Sequence, residues 1–191
     1  GVVGEALRRI LEQRRFEVAS MRFFASSRSA GKRIRWQDRE FIVENAANSN
    51  PAGLDILIFS AGASTSRELA PKFAGAGAVV IDNSSAWRMD PDVPLVVSEV
   101  NPHAIAVRPK GIIANPNCTT MAAMPVLKPL DVEAGLIRLI ASTYQAVSGS
   151  GQAGVDALST EIQAVAGRSE ALAADGAALG FPPPTKFSKT I

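Results

Sequence analysis

Residue types that often carry chemistry are scarce in this chain of 191 residues, which has one cysteine, one histidine and one tyrosine. A single cysteine excludes an internal disulfide, and this is typical of proteins in a reducing compartment. The sequence also lacks a run of 18 apolar residues and a charged segment followed by an apolar leader, so we expect neither a membrane span nor secretion. These absences predict a cytoplasmic protein.

An excess of one charge sign is missing as well. The chain has 20 Lys and Arg residues against 18 Asp and Glu residues, a net charge of +2. Without a basic stripe, nucleic acid is not an expected partner, and we also expect no metal site. Hydrophobic residues make up 47% and charged residues 20%, the balance of a globular protein. The length fits one large domain, or one complete and one partial domain.

Apolar runs alternate with helical patterns along the chain. Strands are predicted at 21–25, 39–44, 54–60, 78–81, 94–97, 111–114 and 137–144, and helices at 1–13, 64–76, 119–130 and 155–165. The weakly alternating segment 39–44 is typical of an edge strand, whereas the continuous run 54–60 is typical of a strand buried on both faces. Buried strands that alternate with helices predict an α/β fold with a Rossmann-like, doubly wound, mostly parallel sheet.

The pattern also predicts a helix cap and a domain boundary. Ser64, Thr65 and Ser66 precede a helical pattern, and we expect them to cap a helix that places Leu69 and Phe73 on one face. The regular alternation of short buried strands with helices stops after Cys118, so we predict a first domain over 1–118 and the start of an α+β domain over 119–191. Because the chain begins within a predicted helix and ends in a proline-rich polar segment, we expect it to be a fragment.

The first helix and the loop after the second predicted element are candidates for nucleotide binding. Gly1 and Gly4 lie at a helix start, where glycine lets a backbone approach a pyrophosphate, although an ordinary helix start explains them equally well. About 20 residues further on, NAD enzymes place an acidic residue on the ribose. Here Ser26, Arg28 and Ser29 stand instead, with hydroxyls and a guanidinium suited to a 2′-phosphate. The pattern favours NADP, although such a loop can also be a simple solvated turn.

Cys118 gives the sharpest local signal, in the segment Asn115-Pro116-Asn117-Cys118-Thr119-Thr120. The segment follows a buried strand and opens a helix, and a helix N-terminus stabilises the thiolate form of cysteine. The thiolate is the nucleophile in covalent catalysis, and the N–H groups of the first turn are suited to hold a developing oxyanion. The alternative is a buried, inert cysteine. The position at the end of a strand, where open α/β sheets bind ligands, favours a nucleophile.

Three other residues are candidates for the same site. Arg88 follows another strand end and offers a forked contact to a phosphate or carboxylate, although it is equally well a surface arginine. Gln145 ends a predicted strand and offers a polar contact to substrate, or is simply a strand end. His103 lies in a polar loop, and we interpret it as a surface residue and not as the general base.

Together these motifs resemble aspartate-semialdehyde dehydrogenase. They occur in the family's order over nearly the whole chain, and they are the segments Phe23–Ser26, Ser60–Gly62, Asp82–Arg88, Pro94–Asn101, Asn115–Thr120 and Tyr144–Gly151. Related acyl-phosphate reductases have different residues around the cysteine and lack the run Tyr-Gln-Ala-Val-Ser-Gly. The resemblance implies the family's fold and activity.

The resemblance also implies roles for individual residues. Cys118 matches the nucleophile that forms an acyl thioester, Arg88 with Asn117 beside it matches the phosphate-binding site, and Gln145 matches a substrate contact. The positions implied around NADP are Gly1, Val2, Val3, Gly4, Arg28, Ser29, Ser148 and Gly149. The implied reaction is the NADPH-dependent reduction of L-4-aspartyl phosphate to aspartate semialdehyde and phosphate, which feeds lysine, methionine and threonine synthesis. The implied assembly is a homodimer.

The resemblance also implies that one strand and two site residues of the family lie outside these 191 residues. The family's first strand is expected before Gly1, and its catalytic histidine and its carboxylate-binding arginine are expected after Ile191. These 191 residues alone are therefore expected to be inactive. Because the first strand occupies the middle of a doubly wound sheet, its removal leaves two unpaired strand edges, and we expect the chain alone to fold poorly.

Two other functions remain open on the sequence. One keeps the thioester chemistry but uses N-acetylglutamyl phosphate or a phosphorylated aldehyde, which the surroundings of Arg88 and Gln145 disfavour. The other is a non-catalytic NADP-binding homologue or a truncated relic. The presence of Cys118, Arg88 and Gln145 together argues against decay of the site.

Overall fold

The computed structural model describes residues 2–166 and residue 168. By its internal contacts the chain divides into two compact units, one over Val3–Ser142 and one that contains the residues from Thr143 onward. Within the described residues, every helix falls short of the length or the apolar character that a membrane crossing requires.

The first part of the chain forms a helix and a three-stranded sheet. The elements are α1 (Val2–Gln13), β1 (Phe23–Ala25), β2 (Arg33–Trp36) and β3 (Arg39–Asn45). The strand order is β1-β3-β2, with β1 parallel and β2 antiparallel to β3. Helix α1 packs on this sheet, since the Trp36 indole donates to the carbonyl of Arg8. The predicted helix and the predicted strand ending at Ala25 are confirmed.

The prediction that 39–44 is an edge strand was wrong, because β3 lies in the middle of its sheet. The two halves of β3 have different partners: residues 39–42 pair with β2, and residues 43–45 pair with β1. Strand β2 was not predicted. Its sequence Arg-Ile-Arg-Trp is half cationic, and only Trp36 is buried, so its apolar content gave little signal.

A second sheet is entirely parallel and carries most of the core. Its elements are β4 (Ile56–Phe59), α2 (Ala63–Gly75), β5 (Val79–Asp82) and β6 (Ile112–Ala114), with the strand order β4-β5-β6. The buried cluster consists of Phe59, Leu69, Ala70, Phe73, Val80, Val93, Ile112 and Ala114. Phe24 of the first sheet packs edge-on against Phe73 of α2, with ring centroids 5.3 Å apart. The predicted fold class, a Rossmann-like and mostly parallel α/β arrangement, is confirmed.

Three details of the second sheet differ from the prediction. Strand β4 is not buried on both faces, because Ile56 and Ile58, which share one face, remain 52% and 38% exposed, whereas Phe59 on the other face is buried. Residues 94–97 form no strand but a single bridge between Leu95 and Ala114. Pro94 has no N–H to give to a ladder, so only its carbonyl is used, by the N–H of Ala114.

The start of α2 also differs. Leu69 and Phe73 are buried as predicted, but the N-cap is Gly62, with φ of 83°, and no side chain caps the helix. The expectation that Ser64, Thr65 and Ser66 cap α2 was therefore wrong. Ser66 lies within the helix, fully buried, and its hydroxyl donates to the Asp82 carboxylate. The glycine supplies the left-handed turn that a serine would adopt only with strain.

The remaining elements are helical. Helix α3 spans Cys118–Ala134 and α4 spans Gln152–Ala166, and short 3-10 helices cover Pro102–Ala106 and Val147–Ser150. Both predicted helices are confirmed, and α3 runs further than expected. The predicted strand at 137–144 was wrong, since residues 136–146 have no regular structure. An apolar run becomes a strand only beside a partner, and in the described residues no strand pairs with it.

Candidate active site

Two polar turns meet at the carboxyl ends of the neighbouring parallel strands β5 and β6. Asn83 follows β5 and Asn115 follows β6, and the amide side chain of Asn115 donates to that of Asn83. The backbone N–H of Asn115 also donates to the carbonyl of Asp82 at 2.8 Å. This edge of an open α/β sheet is where ligands bind, and the paired asparagines fix its geometry.

Arg88 holds these two turns together. Its Nε donates to the carbonyl of Asn115 at 2.9 Å, and its Nη2 donates to the carbonyls of Asn83 at 3.1 Å and Pro116 at 3.4 Å. The structure thus brings Arg88 against the turn that carries Cys118, 30 positions along the chain. Nη1 takes part in none of these hydrogen bonds. Contact with a phosphate stays a prediction.

Cys118 is exposed and is the first residue of α3. Its sulfur lies 3.9 Å from Oδ1 of Asn117, which is the N-cap of the helix. The same oxygen accepts hydrogen bonds from the backbone N–H of Thr119 at 2.9 Å and from its hydroxyl at 2.6 Å. The predicted turn from strand to helix is confirmed, and the side chain is not buried. The role of Cys118 as a nucleophile stays a prediction. The N-cap role of Asn117 was not predicted.

The turn after β1 carries the predicted 2′-phosphate residues. The N–H of Ser29 donates to the carbonyl of Ser26 at 2.9 Å, which closes the turn, and the Arg28 side chain between them is exposed. Arg28 and Ser29 therefore follow the carboxyl end of a parallel strand, β1, just as Cys118 follows the carboxyl end of β6. Val2, Val3 and Gly4 form the first turn of α1, and Gly4 has open space where a Cβ would stand. Gly1 lies outside the described residues.

Gln145, Ser148 and Gly149 belong to the unit that begins at Thr143. All three are exposed. Ser148 and Gly149 lie on the 3-10 helix Val147–Ser150, and a Cβ added to Gly149 would collide with the side-chain amide of Gln145. The structure therefore brings two of the predicted site residues, Gln145 and Gly149, into contact.

An ion pair follows Arg88 closely in the chain. Lys110 donates to both carboxylate oxygens of Asp90, two residues after Arg88, at 2.6 and 2.7 Å. This hydrogen bond lowers the pKa of Asp90 and raises the pKa of Lys110. His103 is exposed, as predicted. In the described part of the chain, no three His, Cys, Asp or Glu side chains come together in a way that would hold a metal ion.

The sequence prediction missed four residues that build this edge. They are Ser66, Asp82, Asn83 and Asn115. The one available signal was the recurrence of asparagine directly after two neighbouring parallel strands, since such strand ends lie side by side. No signal indicated that Ser66 would reach Asp82 from a helix 16 positions earlier.

The parallel sheet, with polar turns and an exposed cysteine at its carboxyl edge, defines a dinucleotide-binding α/β protein. Residues 1–108 match the family model described as semialdehyde dehydrogenase, NAD binding domain. The chain belongs to this family.

Relatives agree with the resemblance seen in the motifs. The chain is 59% identical over its whole length to the aspartate-semialdehyde dehydrogenase of Streptomyces akiyoshiensis, of which it covers 55%. It is 58% identical to that of Mycolicibacterium smegmatis, again over the whole chain and 58% of the relative. The chain thus spans just over half the length of these relatives. The resemblance to aspartate-semialdehyde dehydrogenase is confirmed.

Solved structures of the same name superpose on the chain. Aspartate semialdehyde dehydrogenase II of Vibrio cholerae, complexed with ASA, matches with a TM-score of 0.78 at 40% identity, over 100% of this chain and 54% of that one. The Candida albicans enzyme with NADP matches with a TM-score of 0.57 at 28% identity, over 71% of this chain and 45% of that one.

Proposed function

We propose that the full-length gene product is an NADP-dependent aspartate-semialdehyde dehydrogenase. It reduces L-4-aspartyl phosphate to L-aspartate 4-semialdehyde and releases phosphate, a step toward lysine, methionine and threonine. The observation that carries the proposal is the exposed Cys118 at the start of α3, with Arg88 bonded to the turn in front of it. The relatives of this name support the substrate.

In this proposal Cys118 acts as the nucleophile. Its thiolate attacks the acyl carbon, so that a C–S bond forms, the C–O bond to the phosphate breaks and phosphate leaves. NADPH, when bound, supplies the hydride that reduces the resulting thioester. The C–S bond then breaks and the sulfur is released as the thiolate. The N–H groups at the start of α3 are suited to hold the oxyanion that develops in each step.

The residues of the β1 turn fit an NADP phosphate. Residues 26–31 contain three serines and one arginine and no Asp or Glu, so nothing in the turn repels a phosphate dianion, and the Arg28 guanidinium attracts it. The Candida albicans neighbour was solved with NADP. We assign Arg28 and Ser29 to this phosphate, and the first turn of α1 with Gly1, together with Ser148 and Gly149, to the remainder of the cofactor.

The substrate roles complete the proposal. Arg88 and Asn117 hold the phosphate, and Gln145 contacts the rest of the substrate. We further propose a cytoplasmic homodimer. We also propose a cofactor domain over 1–118 and the beginning of a catalytic and dimerisation domain over 119–191. The family match over residues 1–108 supports the first of these.

The test measures phosphate-dependent reduction of NADP by aspartate semialdehyde in the full-length gene product. Wild type is compared with Cys118→Ser, whose hydroxyl is a much weaker nucleophile at neutral pH, and we expect the rate to fall by about 1,000-fold or more. Cys118→Ala, which has no nucleophile at this position, gives the background rate. A serine variant within about tenfold of wild type would exclude Cys118 as the nucleophile.

Substrate and cofactor are tested in the same assay. N-acetylglutamate semialdehyde and a phosphorylated aldehyde replace aspartate semialdehyde, and NAD replaces NADP. We expect aspartate semialdehyde with NADP to give the highest kcat/KM. Preference for another aldehyde would support the alternative substrates, and absence of turnover with all of them would support a non-catalytic homologue.

A further inference from the structure

A fully buried carboxylate lies beneath the turn that carries Arg88. Asp82 accepts hydrogen bonds from the Ser66 hydroxyl at 2.8 Å, from the Ser84 N–H at 2.9 Å and from the Ser84 hydroxyl at 2.7 Å. No cation of the described residues forms an ion pair with it. Burying an unpaired carboxylate is costly unless it is well hydrogen-bonded. Packing alone therefore does not explain an aspartate at position 82.

The hydrogen bonds of Asp82 and its partner Ser66 together reach both ends of the turn 83–88. Ser84 lies near the start of the turn, and its hydroxyl also accepts from the N–H of Ala86 at 3.1 Å. Near the end of the turn, the Trp87 indole donates to the Ser66 hydroxyl at 2.9 Å. Ser66 is fully buried in α2, so it anchors Trp87 to the core. The backbone that leads into Arg88 is therefore fixed from two sides.

Arg88 links the turn 83–88 to residues 115–118, which we call the cysteine turn. Its guanidinium donates to the carbonyls of Asn115 and Pro116, which immediately precede Asn117 and Cys118. A continuous series of hydrogen bonds thus runs from Ser66 and Asp82, through the turn 83–88, to the residues in front of the exposed sulfur.

We propose that Asp82, Ser66 and Ser84 are positioning residues: they fix the turn 83–88 so that Arg88 holds the cysteine turn and the start of α3 in place. The proposal rests on the function proposed above, and it extends that function to residues that touch neither substrate nor cofactor. It gives Arg88 a second role beside the proposed phosphate contact, because Nε and Nη2 hold the turn that carries Cys118 and Nη1 takes no part in those bonds.

The test compares single substitutions in the full-length gene product. Ser84→Ala removes the hydroxyl that bonds to Asp82, Ser84→Thr retains it, and Ser85→Ala is the matched control at the adjacent, exposed serine. Ser66→Ala breaks the same network from α2. Two quantities are measured: the rate at which iodoacetamide alkylates Cys118 at neutral pH without substrate or cofactor, and the separate values of KM for phosphate and kcat.

We expect Ser84→Ala and Ser66→Ala to slow alkylation and to raise KM for phosphate, each by about three- to tenfold, the range for the net loss of one ordinary hydrogen bond. Cys118 is already exposed, so a looser turn does not make the sulfur more accessible. It only weakens the helix start that stabilises the thiolate, and alkylation therefore slows. Ser84→Thr should restore both values. A purely structural role would lower the amount of folded enzyme and hence kcat, with KM unchanged.

The proposal is overturned if Ser84→Ala and Ser66→Ala match Ser85→Ala in both measurements. It is also overturned if only kcat falls. Failure of the proposed function is separate, because it appears as absence of phosphate-dependent NADP reduction in wild type, whereas the alkylation comparison needs no turnover.

Discussion

Asn117 shows how one residue serves both the helix and the sulfur beside it. Its side-chain oxygen caps α3 through the N–H of Thr119 and lies 3.9 Å from the sulfur of Cys118. The oxygen is neutral, so it satisfies the helix end without placing a negative charge next to a thiolate. A carboxylate at this position would cap the helix equally well but would repel the ionised sulfur.

This difference gives a prediction for Asn117. In Asn117→Asp the cap is retained, so we expect the free energy of unfolding to stay within about 0.5 kcal/mol of wild type. Repulsion between unit charges about 4 Å apart in water is about 1 kcal/mol, so alkylation of Cys118 at neutral pH should slow about fivefold. In Asn117→Ala we expect a loss of about 1 kcal/mol of stability from the missing cap. Urea unfolding and iodoacetamide kinetics measure both quantities.

The reverse pattern would contradict this account of Asn117. It would consist of an aspartate variant that alkylates as fast as wild type, or an alanine variant that is as stable as wild type.

At the scale of elements, one ion pair supports the backbone pairing between β1 and β3. Arg22, just before β1, donates from Nε and Nη2 to the two carboxylate oxygens of Glu44 in β3, at 2.8 and 2.6 Å. Arg22 also donates to the carbonyl of Asn50 at 3.0 Å and lies over the ring of Phe24. The hydrogen bond from Arg22 lowers the pKa of Glu44 below its ordinary value of 4.5 and raises the pKa of Arg22.

The lowered pKa of Glu44 has a definite consequence for stability. Its contribution is fully present above pH 4.5, the ordinary pKa, and is lost as the pH falls through the lower pKa of the folded state. Because both side chains are partly exposed, we expect Glu44→Gln to cost at most about 1 kcal/mol at pH 7. The difference from wild type should shrink once the pH drops below 4.5. Urea unfolding at several pH values measures it.

Glu40→Gln is the matched control, since Glu40 pairs with Arg33 across the neighbouring strands at 2.7 Å but both side chains are more exposed. We expect this control to change stability by less than about 0.5 kcal/mol at any pH. A pH-independent loss in Glu44→Gln would show that the pair does not act through the charge of the carboxylate.

At the scale of the whole molecule, the two sheets each end in an edge that has no strand beside it in the described residues. Strand β1 pairs only with β3, and β4 pairs only with β5. Ile56 and Ile58 of β4 are both partly exposed. An apolar edge of this kind is a template for association with other chains, which agrees with the expectation that these 191 residues alone fold poorly.

We therefore predict that residues 1–191, expressed alone, aggregate and show weak amide protection across Leu54–Ile81. Ile58→Lys places a charge on the β4 edge and should reduce aggregation severalfold, measured by light scattering at a fixed concentration. Ile105→Lys is the control, because Ile105 is 37% exposed, close to the 38% of Ile58, but lies outside any strand. Strong amide protection across Leu54–Ile81, or equal effects of the two lysine variants, would contradict the prediction.

The sequence by itself determined the local elements of the site. An apolar run followed by Asn and then by a helical pattern placed Cys118 at a strand-to-helix turn, and an apolar run followed by Ser placed Arg28 and Ser29 after β1. Both features depend on residues close together in the chain. The same local signals failed where pairing decides the outcome. Residues 137–144 are as apolar as a strand but pair with no strand of the described residues, whereas β2 has a partner but little apolar content.

Only the tertiary structure decided what surrounds the cysteine. Arg88 reaches the carbonyl of Asn115, 27 residues later, and Ser66 reaches Asp82 from another element. Both contacts exist because α2 packs on β5 and because β5 and β6 run in parallel, so that turns distant in the chain meet at one edge of the sheet. Hydrogen bonds across such an edge depend on the register of strands and on the depth of packing, which no local sequence pattern specifies.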